Sequence, residues 1–306
     1  MTTVIAFMGL GHMGGPMAAN LAAAGHRVLG YDLVPDALAT ASAAGVEAAE
    51  SAVAAAAEAD VVITMLPAGR HVLALYRDEG LLAAAKPGTL FIDCSTIDVA
   101  DARAAHDAAA AAGHRALDAP VSGGVMGAEA ATLTFMAGGG EAEFAEAEPL
   151  LAVMGRRAVH CGEAGAGQAA KICNNMILAI SMIAVSEAFV LGESLGLSHQ
   201  ALYDVASTAS GQCWALTTNC PVPGPVPASP ANRDYRPGFA APLMAKDVGL
   251  AADALRAGGI HGGLGLRAAE MYAAFAEGSG AAQDFSGIVR VLRDGAAETP
   301  KGTATA

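Results

Sequence analysis

The first 32 residues hold the pattern that most limits how this chain can fold. Residues 3–8 are continuously apolar with no helical period, as expected of a strand buried on both faces. A glycine-rich turn and a helical stretch follow, and a second apolar run at residues 27–31 ends at Asp32. This order of elements is that of two parallel strands joined by a crossover helix. The segment therefore predicts a βαβ unit within an open α/β sheet.

The turn after the first strand has the form G-x-G-x-x-G and consists of Gly9, Leu10, Gly11, His12, Met13 and Gly14. Gly9 allows the tight turn, Gly11 lets a pyrophosphate approach the backbone, and Gly14 lets helix and strand pack closely. The helix start offers free N–H groups and a positive dipole end to the phosphates. The motif alone is weak evidence. Together with the strand, the helix and the acid, it predicts a dinucleotide-binding domain.

Asp32 at the end of the second strand indicates which dinucleotide binds. A carboxylate at this point can accept hydrogen bonds from both ribose hydroxyls and would repel a 2′-phosphate. The next residues, Leu33 and Val34, offer no arginine to hold such a phosphate. We therefore predict NAD as the cofactor rather than NADP.

The α/β alternation continues as far as about residue 161. Strand-like runs occupy residues 60–66, 89–93 and 115–119, and residues 132–137 and 157–161 look like late edge strands. In an open parallel sheet, ligands bind beyond the carboxyl ends of the strands. Polar or glycine-containing turns at those ends are Leu66-Pro67, Thr96 and Ser122-Gly123-Gly124. We expect them to line one crevice with the glycine turn, and the serine hydroxyl and glycine N–H groups suit a carboxylate.

After Gly167 the strand-like runs stop and helical patterns dominate, at about residues 168–196, 199–209, 243–257, 264–277 and 284–293. The change predicts a Rossmann-type domain at residues 1–164, an all-helical domain at 165–295 and a flexible tail at 296–306. Residues 220–242 hold seven of the fourteen prolines, which predicts an extended surface loop. Such a loop can be a lid, a partner contact or a plain connector.

The long apolar helix pattern that starts near Gly165 carries a single lysine near its beginning. Asn174 and Asn175 follow Lys171 by three and four residues, so a helix brings all three toward one face. We interpret Lys171 as a catalytic acid/base on a helix that joins the two domains. The competing interpretation is a surface lysine ahead of a buried helix. The longest apolar run, residues 176–185, is about half of what a bilayer span needs and reads as a core helix.

Composition excludes several classes of function. The formal net charge of −13 argues against a phosphate-backbone partner, because nucleic-acid affinity rests on clustered Lys and Arg. The five cysteines lack paired short spacings and the eight histidines are scattered, so neither a disulfide framework nor a metal site is indicated. No export signal is visible at the start. We therefore expect a cytoplasmic protein with no membrane, nucleic-acid or metal partner.

Four motifs in register resemble those of the β-hydroxyacid dehydrogenases, over nearly the whole chain. They are GLGHMGGPMAANL from Gly9, DAPVSGG from Asp118, GAGQAAKICNNM from Gly165, and Lys246-Asp247. KICNNM, Trp214 with the proline-rich segment behind it, and the DFS sequence at residues 284–286 narrow the similarity to members that oxidise 3-hydroxyisobutyrate in valine catabolism. The resemblance implies a Rossmann domain, a long interdomain helix and a helical domain that takes part in forming a homodimer or homotetramer.

The resemblance also implies roles for individual residues. Lys171 would be the essential acid/base and Asn175 would hydrogen-bond in the same site. The implied substrate residues are Ser122, Gly123, Gly124, Thr96, Asn174 and Asp247. The implied cofactor residues, besides the glycine turn and Asp32, are Leu66, Pro67, His71, Thr96 and Lys246. Departures at His12 and Gln283 do not touch the proposed chemistry.

The motifs do not choose among the members of the family. A tartronate semialdehyde reductase or a short-chain semialdehyde reductase would share the same site, since that site recognises a carboxylate and a β-hydroxyl or carbonyl. A catalytically silent NAD-binding scaffold is an alternative of another class. It is disfavoured because a scaffold has no use for Lys171, Asn175 and Lys246 together.

Overall fold

A computed structural model describes residues 2–298, the last three of them by backbone alone. The chain divides into two compact units, Met1–Lys171 and Ile172–Ala306. This division lies inside a long helix, whereas the change of sequence pattern at 164/165 coincides with the start of that helix; the domain limits themselves stay a prediction. The tail predicted from residue 296 lies outside the described residues, apart from the end of the last helix.

The first unit is built on a nine-stranded sheet of order β3-β2-β1-β4-β5-β6-β8-β7, with β9 paired to β8. The strands are β1 (Val4–Met8), β2 (Arg27–Tyr31), β3 (Glu47–Ala48), β4 (Val61–Thr64), β5 (Leu90–Asp93), β6 (Arg115–Asp118), β7 (Val121–Ser122), β8 (Leu133–Gly138) and β9 (Gly155–Gly162). The pairs from β3 through β6 are parallel. Because the chain leaves β1 toward β2 on one side and reaches β4 on the other, the strand order reverses at β1, where doubly wound sheets bind ligands.

Helices cover both faces of this sheet, as the unbroken apolar strands require. They are α1 (Gly14–Ala23), α2 (Pro35–Ala43), α3 (Ala52–Glu58), α4 (Gly69–Leu73) with a π-helical turn (Ala74–Asp78), α5 (Leu81–Ala84), α6 (Val99–Ala111), α7 (Gly124–Glu129) and α8 (Glu141–Met154). Ile5 and Phe7 belong to one core cluster, and Ala6 and Met8 belong to another. Successive strand residues point to opposite faces, so β1 supplies both cores. The prediction of a strand buried on both faces is confirmed.

One strand prediction was wrong. The sequence placed residues 132–137 at the edge of the sheet, but β8 pairs with β9 in parallel and with β6 and β7 in antiparallel orientation. The interior place of β8 follows from its pairing with β6, β7 and β9, and β7 has only two residues, too few to leave a periodic signal. Of the two strands predicted at the edge, β9 alone lies there.

The second unit is all-helical, as predicted. Its elements are most of α9 (Ala166–Ser194), then α10 (His199–Ala206), α11 (Trp214–Thr217), a 3-10 turn (Pro230–Arg233), α12 (Ala241–Ala257), α13 (Gly263–Glu277), a 3-10 turn (Phe285–Gly287) and α14 (Ile288–Glu298). Met182 of α9, Met244 of α12, and Tyr272 and Phe275 of α13 lie in one buried cluster. The apolar face of α9 is thus part of the core of this unit.

The proline-rich segment is largely irregular and many of its residues are exposed, as predicted, but parts of it are buried. Cys220 and Val222 are fully buried and join the apolar cluster around Phe189. The Tyr235 hydroxyl donates to the carbonyl of Pro221 at 2.8 Å, and the segment's end is held where the amides of Gly238 and Phe239 donate to Asp284 Oδ2 at 2.9 Å. Tertiary packing therefore orders a stretch in which proline prevents regular structure.

Helix α9 is unusual in its length and its apolar composition. Among residues 2–298 it is the one helix that meets the length and hydropathy expected of a membrane span. The core helix of a soluble protein meets the same criterion. Ala179 and Met182 are fully buried in the core of the second unit, which agrees with a core helix.

Candidate cofactor and catalytic sites

Of the three motif glycines between β1 and α1, only Gly11 leaves room for a ligand. Gly9 has a φ of +92°, and a Cβ there would meet the carbonyl oxygen of Met65. A Cβ on Gly14 would overlap the carbonyl oxygen of Gly9, so helix and strand pack as closely as the motif predicts. A Cβ on Gly11 would meet nothing within 4 Å. Packing thus explains Gly9 and Gly14, while Gly11 keeps the surface beside the helix start open, which fits a pyrophosphate.

Asp32 is held beside this turn by two backbone amides. Leu10 N donates to Asp32 Oδ2 at 2.6 Å, and Val34 N donates to Asp32 Oδ1 at 2.8 Å. Each carboxylate oxygen has a second acceptor position, so the half-buried side chain can still receive hydroxyl groups. Leu33 beside it is 85% exposed. The donor and acceptor set therefore fits the ribose of NAD, and no cation follows Asp32 for a 2′-phosphate.

The turns after β4 and β5 are joined by a buried polar network that sequence reasoning missed. Asp93 Oδ1 accepts hydrogen bonds from the hydroxyls of Thr64 at 2.7 Å and Ser95 at 2.6 Å. The Leu66 amide donates to Ser95 Oγ at 2.8 Å. Desolvation is the main reason that the pKa of Asp93 rises to about 6. The signal in the sequence was an acid and a hydroxyl at the end of an apolar strand.

A second missed acid fixes the start of α9. Asp118 at the end of β6 accepts the amides of Gly165 at 2.7 Å and Gln168 at 2.8 Å. A carboxylate at a helix start satisfies free N–H groups and faces the positive end of the dipole. Burial raises the pKa of Asp118. A Cβ on Gly167 would meet the carbonyl oxygen of Met136, which explains the second glycine of GAGQ by close packing of α9 on β8.

Lys171 lies one turn further along α9 and is only 6% exposed. The interpretation of Lys171 as a surface lysine is therefore wrong. Asn175 is 1% exposed, while Asn174 is exposed and donates to Asn175 Oδ1 at 3.0 Å. Since residues four apart on a helix lie on one face, Lys171 and Asn175 are neighbours along α9.

In the second unit, Asn175 belongs to a cluster with two residues of α12. Its Nδ2 donates to Asp247 Oδ2 at 2.6 Å. Lys246 Nζ lies 3.8 Å from Asp247 Oδ1, and Asp247 is 5% exposed. Lys246 is the sixth residue of α12, and the adjacent carboxylate gives its ammonium group an anionic neighbour.

The predicted substrate turn joins β7 to α7. Gly123 has a φ of +141° and Gly124 a φ of +64°, a backbone that side chains other than glycine rarely adopt. The turn leads into α7, and Asn20 Nδ2 of α1 donates to the carbonyl of Ala128 at 2.8 Å. The turn is therefore tied to the helix that follows the glycine turn. Ser122 and Thr96 are half-buried.

Contacts in the first unit thus bring together the glycine turn, Asp32 and the Leu66 turn, and contacts in the second bring together Asn174, Asn175, Asp247 and Lys246. Pro67 and His71 are exposed after β4, and their cofactor role stays a prediction, as do the roles of Ser122, Gly123, Gly124 and Thr96. Among the described residues, no group of three or more His, Cys, Asp or Glu side chains could hold a metal ion.

Two family models together match almost the whole chain. The NAD binding domain of 6-phosphogluconate dehydrogenase matches residues 4–162. A model described as NAD-binding of NADP-dependent 3-hydroxyisobutyrate dehydrogenase matches residues 165–292.

Individual relatives agree with these models. A probable 3-hydroxyisobutyrate dehydrogenase of Mycobacterium tuberculosis is 58% identical over 95% of this chain and 98% of its own length. An NAD-dependent L-serine dehydrogenase of Pseudomonas aeruginosa is 49% identical over 95% of this chain and 97% of its own. A solved structure of the Mycobacterium tuberculosis 3-hydroxyisobutyrate dehydrogenase with L-serine has a TM-score of 0.92, at 58% identity, and covers 96% of this chain and 100% of the other.

Proposed function

Because the chain belongs to the 3-hydroxyisobutyrate dehydrogenase family of β-hydroxyacid dehydrogenases, we propose that it oxidises 3-hydroxyisobutyrate to methylmalonate semialdehyde, as in valine catabolism. It is an NAD-dependent hydroxyacid dehydrogenase, with the Rossmann-type and helical parts of that family. Relatives at 58% identity bear this substrate in their names, which supports the proposal. We place the reaction in the cytoplasm, where the five free cysteines would stay reduced.

The observation that carries the proposal is the burial of Lys171 on the face of α9 that also carries Asn175. Oxidation of an alcohol requires a base for the hydroxyl proton, and a lysine removed from water has its charged form disfavoured. Lys171 Nζ takes that proton as the alcohol becomes a carbonyl and returns it in the reverse reaction. Asn175, fixed by its bond to Asp247, supplies a hydrogen-bonding group one turn away. NAD, held by the glycine turn and Asp32, would supply the hydride acceptor.

Other groups of the chain hold the substrate and the cofactor. We assign the substrate carboxylate to the Ser122 hydroxyl and to the backbone N–H groups of Gly123 and Gly124, whose positive φ values form a concave turn of the kind that binds anions. The glycine turn and Asp32 hold the pyrophosphate and ribose of NAD. Placement of the reacting groups, rather than any unusual side-chain chemistry, is then the main contribution of the protein.

L-serine is the second candidate substrate. One relative at 49% identity is named as an NAD-dependent L-serine dehydrogenase, and the solved structure at 58% identity has L-serine in its title. The two substrates share a carboxylate and a primary hydroxyl, and differ by a methyl or an ammonium group on C2. A site that binds the methyl group by apolar contact rejects the ammonium group, because burial of an unpaired charge is costly.

Absorbance at 340 nm tests these alternatives directly. The assay pairs NAD with 3-hydroxyisobutyrate, L-serine and D-glycerate, and then NADPH with tartronate semialdehyde and other small semialdehydes. We expect the highest kcat/KM for 3-hydroxyisobutyrate with NAD. A higher value for L-serine would replace the proposed substrate within the same reaction class. Absence of turnover with all of them would favour a silent NAD-binding scaffold.

We further propose that the chain forms a homodimer or homotetramer through its second unit. Several large apolar residues of that unit are exposed: Ile177, Leu191, Leu195 and Leu264 are 59–72% exposed. Large exposed apolar groups on one unit are typical of a surface that another chain covers. Light scattering coupled to gel filtration measures the subunit number, and a monomer at micromolar concentration would contradict the proposal.

A further inference from the structure

The residue that joins the turns after β4 and β5 is Ser95. It is fully buried, and its hydroxyl lies 2.6 Å from Asp93 Oδ1 and 2.8 Å from the amide nitrogen of Leu66. A serine hydroxyl has one proton and two acceptor positions. Since the proton goes to the carboxylate and the amide can only donate, the direction of both bonds is settled: Ser95 donates to Asp93 and accepts from Leu66.

Asp93 fixes the orientation of that hydroxyl. Its Oδ1 accepts from the Ser95 hydroxyl, from the Ser95 amide at 3.1 Å and from the Thr64 hydroxyl at 2.7 Å. Thr64 and Ser95 thus each give Asp93 one hydroxyl bond, but only Ser95 passes a bond on to the Leu66 turn. Loss of the Thr64 hydroxyl would therefore affect Asp93 alone, whereas loss of the Ser95 hydroxyl would also release the Leu66 amide.

The backbone that follows the Ser95 side chain is anchored independently. Gln168 Nε2 donates to the carbonyl of Ser95 at 2.7 Å, and the amide of Ile97 donates to Gln168 Oε1 at 3.1 Å. Gln168 lies in the first turn of α9, three residues before Lys171. Ser95 therefore cannot follow a Leu66 turn that moves away, and its hydroxyl acts as a fixed acceptor.

The backbone turn at Leu66 borders the glycine motif. A Cβ on Gly9 would meet the carbonyl oxygen of Met65, and the Leu66 side chain would lie 3.0 Å from that Cβ. The position of residues 65–66 therefore sets one wall of the glycine turn. A shift there changes the space beside Gly9 directly.

We infer that Ser95, oriented by Asp93, is a positioning residue for NAD: it holds the Leu66 amide and thereby the wall of the glycine turn. The inference rests on the proposed function only in assigning Leu66 and the glycine turn to the cofactor. It requires no assumption about the hydroxy acid.

The test compares Ser95→Ala with Thr64→Val in the full-length protein. Each variant removes one hydroxyl bond to Asp93, so both should lose stability, but only Ser95→Ala removes the acceptor of the Leu66 amide. We expect the Kd for NAD, measured by calorimetry without substrate, to rise about 3- to 10-fold in Ser95→Ala, as for one lost hydrogen bond. We expect it to stay within about twofold in Thr64→Val. Equal Kd values for the two variants, whether raised or not, would overturn the inference.

A second measurement covers a Ser95→Ala variant that does not fold. Hydrogen exchange of the Leu66 amide in the unmodified protein should be slowed relative to an exposed amide, because the amide is bonded to a fixed acceptor. Exchange at the rate of an exposed amide would overturn the inference. Turnover of the unmodified enzyme is recorded beside both experiments. NAD binding without turnover of any hydroxy acid would defeat the proposed function while leaving the comparison of Kd values valid.

Discussion

Asn175 and Asp247, 72 residues apart in the sequence, are joined by a hydrogen bond of 2.6 Å between Asn175 Nδ2 and Asp247 Oδ2. Both side chains are almost wholly buried, at 1% and 5% exposure. The bond connects α9 to α12 and sets the rotamer of an amide that lies one helical turn beyond Lys171. A residue proposed to act in catalysis is thus also part of the core of the second unit.

Replacement of Asn175 by alanine should therefore cost stability as well as activity. Loss of the amide leaves a buried carboxylate short of one donor, and we expect the free energy of unfolding to fall by about 1–3 kcal/mol. Urea denaturation measures this change. Asn174→Ala is the matched control, because Asn174 is exposed and should change the free energy of unfolding by less than about 0.5 kcal/mol. Equal losses in the two variants would show that the Asp247 bond does not stabilise the fold.

Lys171→Ala should separate binding from catalysis. We expect the variant to bind NAD normally but to lose turnover by roughly 10²- to 10⁴-fold, the range typical of general acid–base groups. Lys86→Ala is the control, since Lys86 is half-exposed and pairs with Asp60 on the surface. Steady-state kinetics and NAD calorimetry provide the two measurements. Near-normal turnover in Lys171→Ala would remove Lys171 from the mechanism.

Cofactor choice should depend on the residues after β2. In the double variant Asp32→Ser with Leu33→Arg, the carboxylate that repels a 2′-phosphate is gone and a guanidinium is offered to it. Leu33 is 85% exposed, so the arginine needs no buried space. We expect the ratio of kcat/KM for NAD to that for NADP to fall by at least about 100-fold, or roughly 2.8 kcal/mol. An unchanged ratio would mean that Asp32 does not face the ribose.

Replacement of Gly14 should affect stability, whereas replacement of Gly11 should affect NAD binding. Gly14→Ala places a methyl group against the carbonyl oxygen of Gly9, so we expect it to lower the free energy of unfolding by about 1–3 kcal/mol. Gly11→Ala meets no neighbour within 4 Å and should fold with near-normal stability while weakening NAD binding. Denaturation and calorimetry on both variants test the contrast. Tight NAD binding by Gly11→Ala would show that the pyrophosphate does not approach this position.

Because its pKa is raised, Asp93 should make the free energy of unfolding fall as the pH rises, the reverse of the usual effect of a carboxylate. Burial raises its pKa to about 6 from 3.8, with a smaller contribution from Asp118, so the folded state binds the proton more tightly than the unfolded chain. Its contribution to the free energy of unfolding therefore falls as the pH rises from about 4 to about 6, and stays low above that range. Asp93→Asn keeps an acceptor at Oδ1 and has no such proton to lose. We expect it to exceed the parent protein in stability by about 1–3 kcal/mol at pH 7.5, and to lose that advantage near pH 4.

Asp60→Asn is the control of opposite sign. The Val4 amide and then Lys86 lower the pKa of Asp60, so its ionised form favours the folded state. That contribution is present above the pKa of the unfolded chain and is lost as the pH falls, so Asp60→Asn should be the less stable protein at pH 7.5. Urea denaturation at both pH values follows the two variants. Equal pH profiles for Asp93→Asn and the parent protein would contradict the assignment of the titration to Asp93.

The parts of this protein that the sequence predicted are those that local chemistry controls. The strand at Arg27–Tyr31 and the positive φ of Gly9 follow from a continuous apolar run and from the need for a tight turn. The all-helical second half follows from a change of period. NAD specificity likewise needs only one acid and the absence of a following arginine.

Tertiary structure alone decided the rest, because it depends on residues that are distant in the sequence. The interior place of β8 needs its pairing with β6 and β9, and the burial of Cys220 and Val222 needs the cluster around Phe189. The Ser95–Leu66 and Asn175–Asp247 bonds join residues 29 and 72 positions apart. No period or motif encodes such pairs, since a buried polar group is satisfied by whichever partner the fold brings to it.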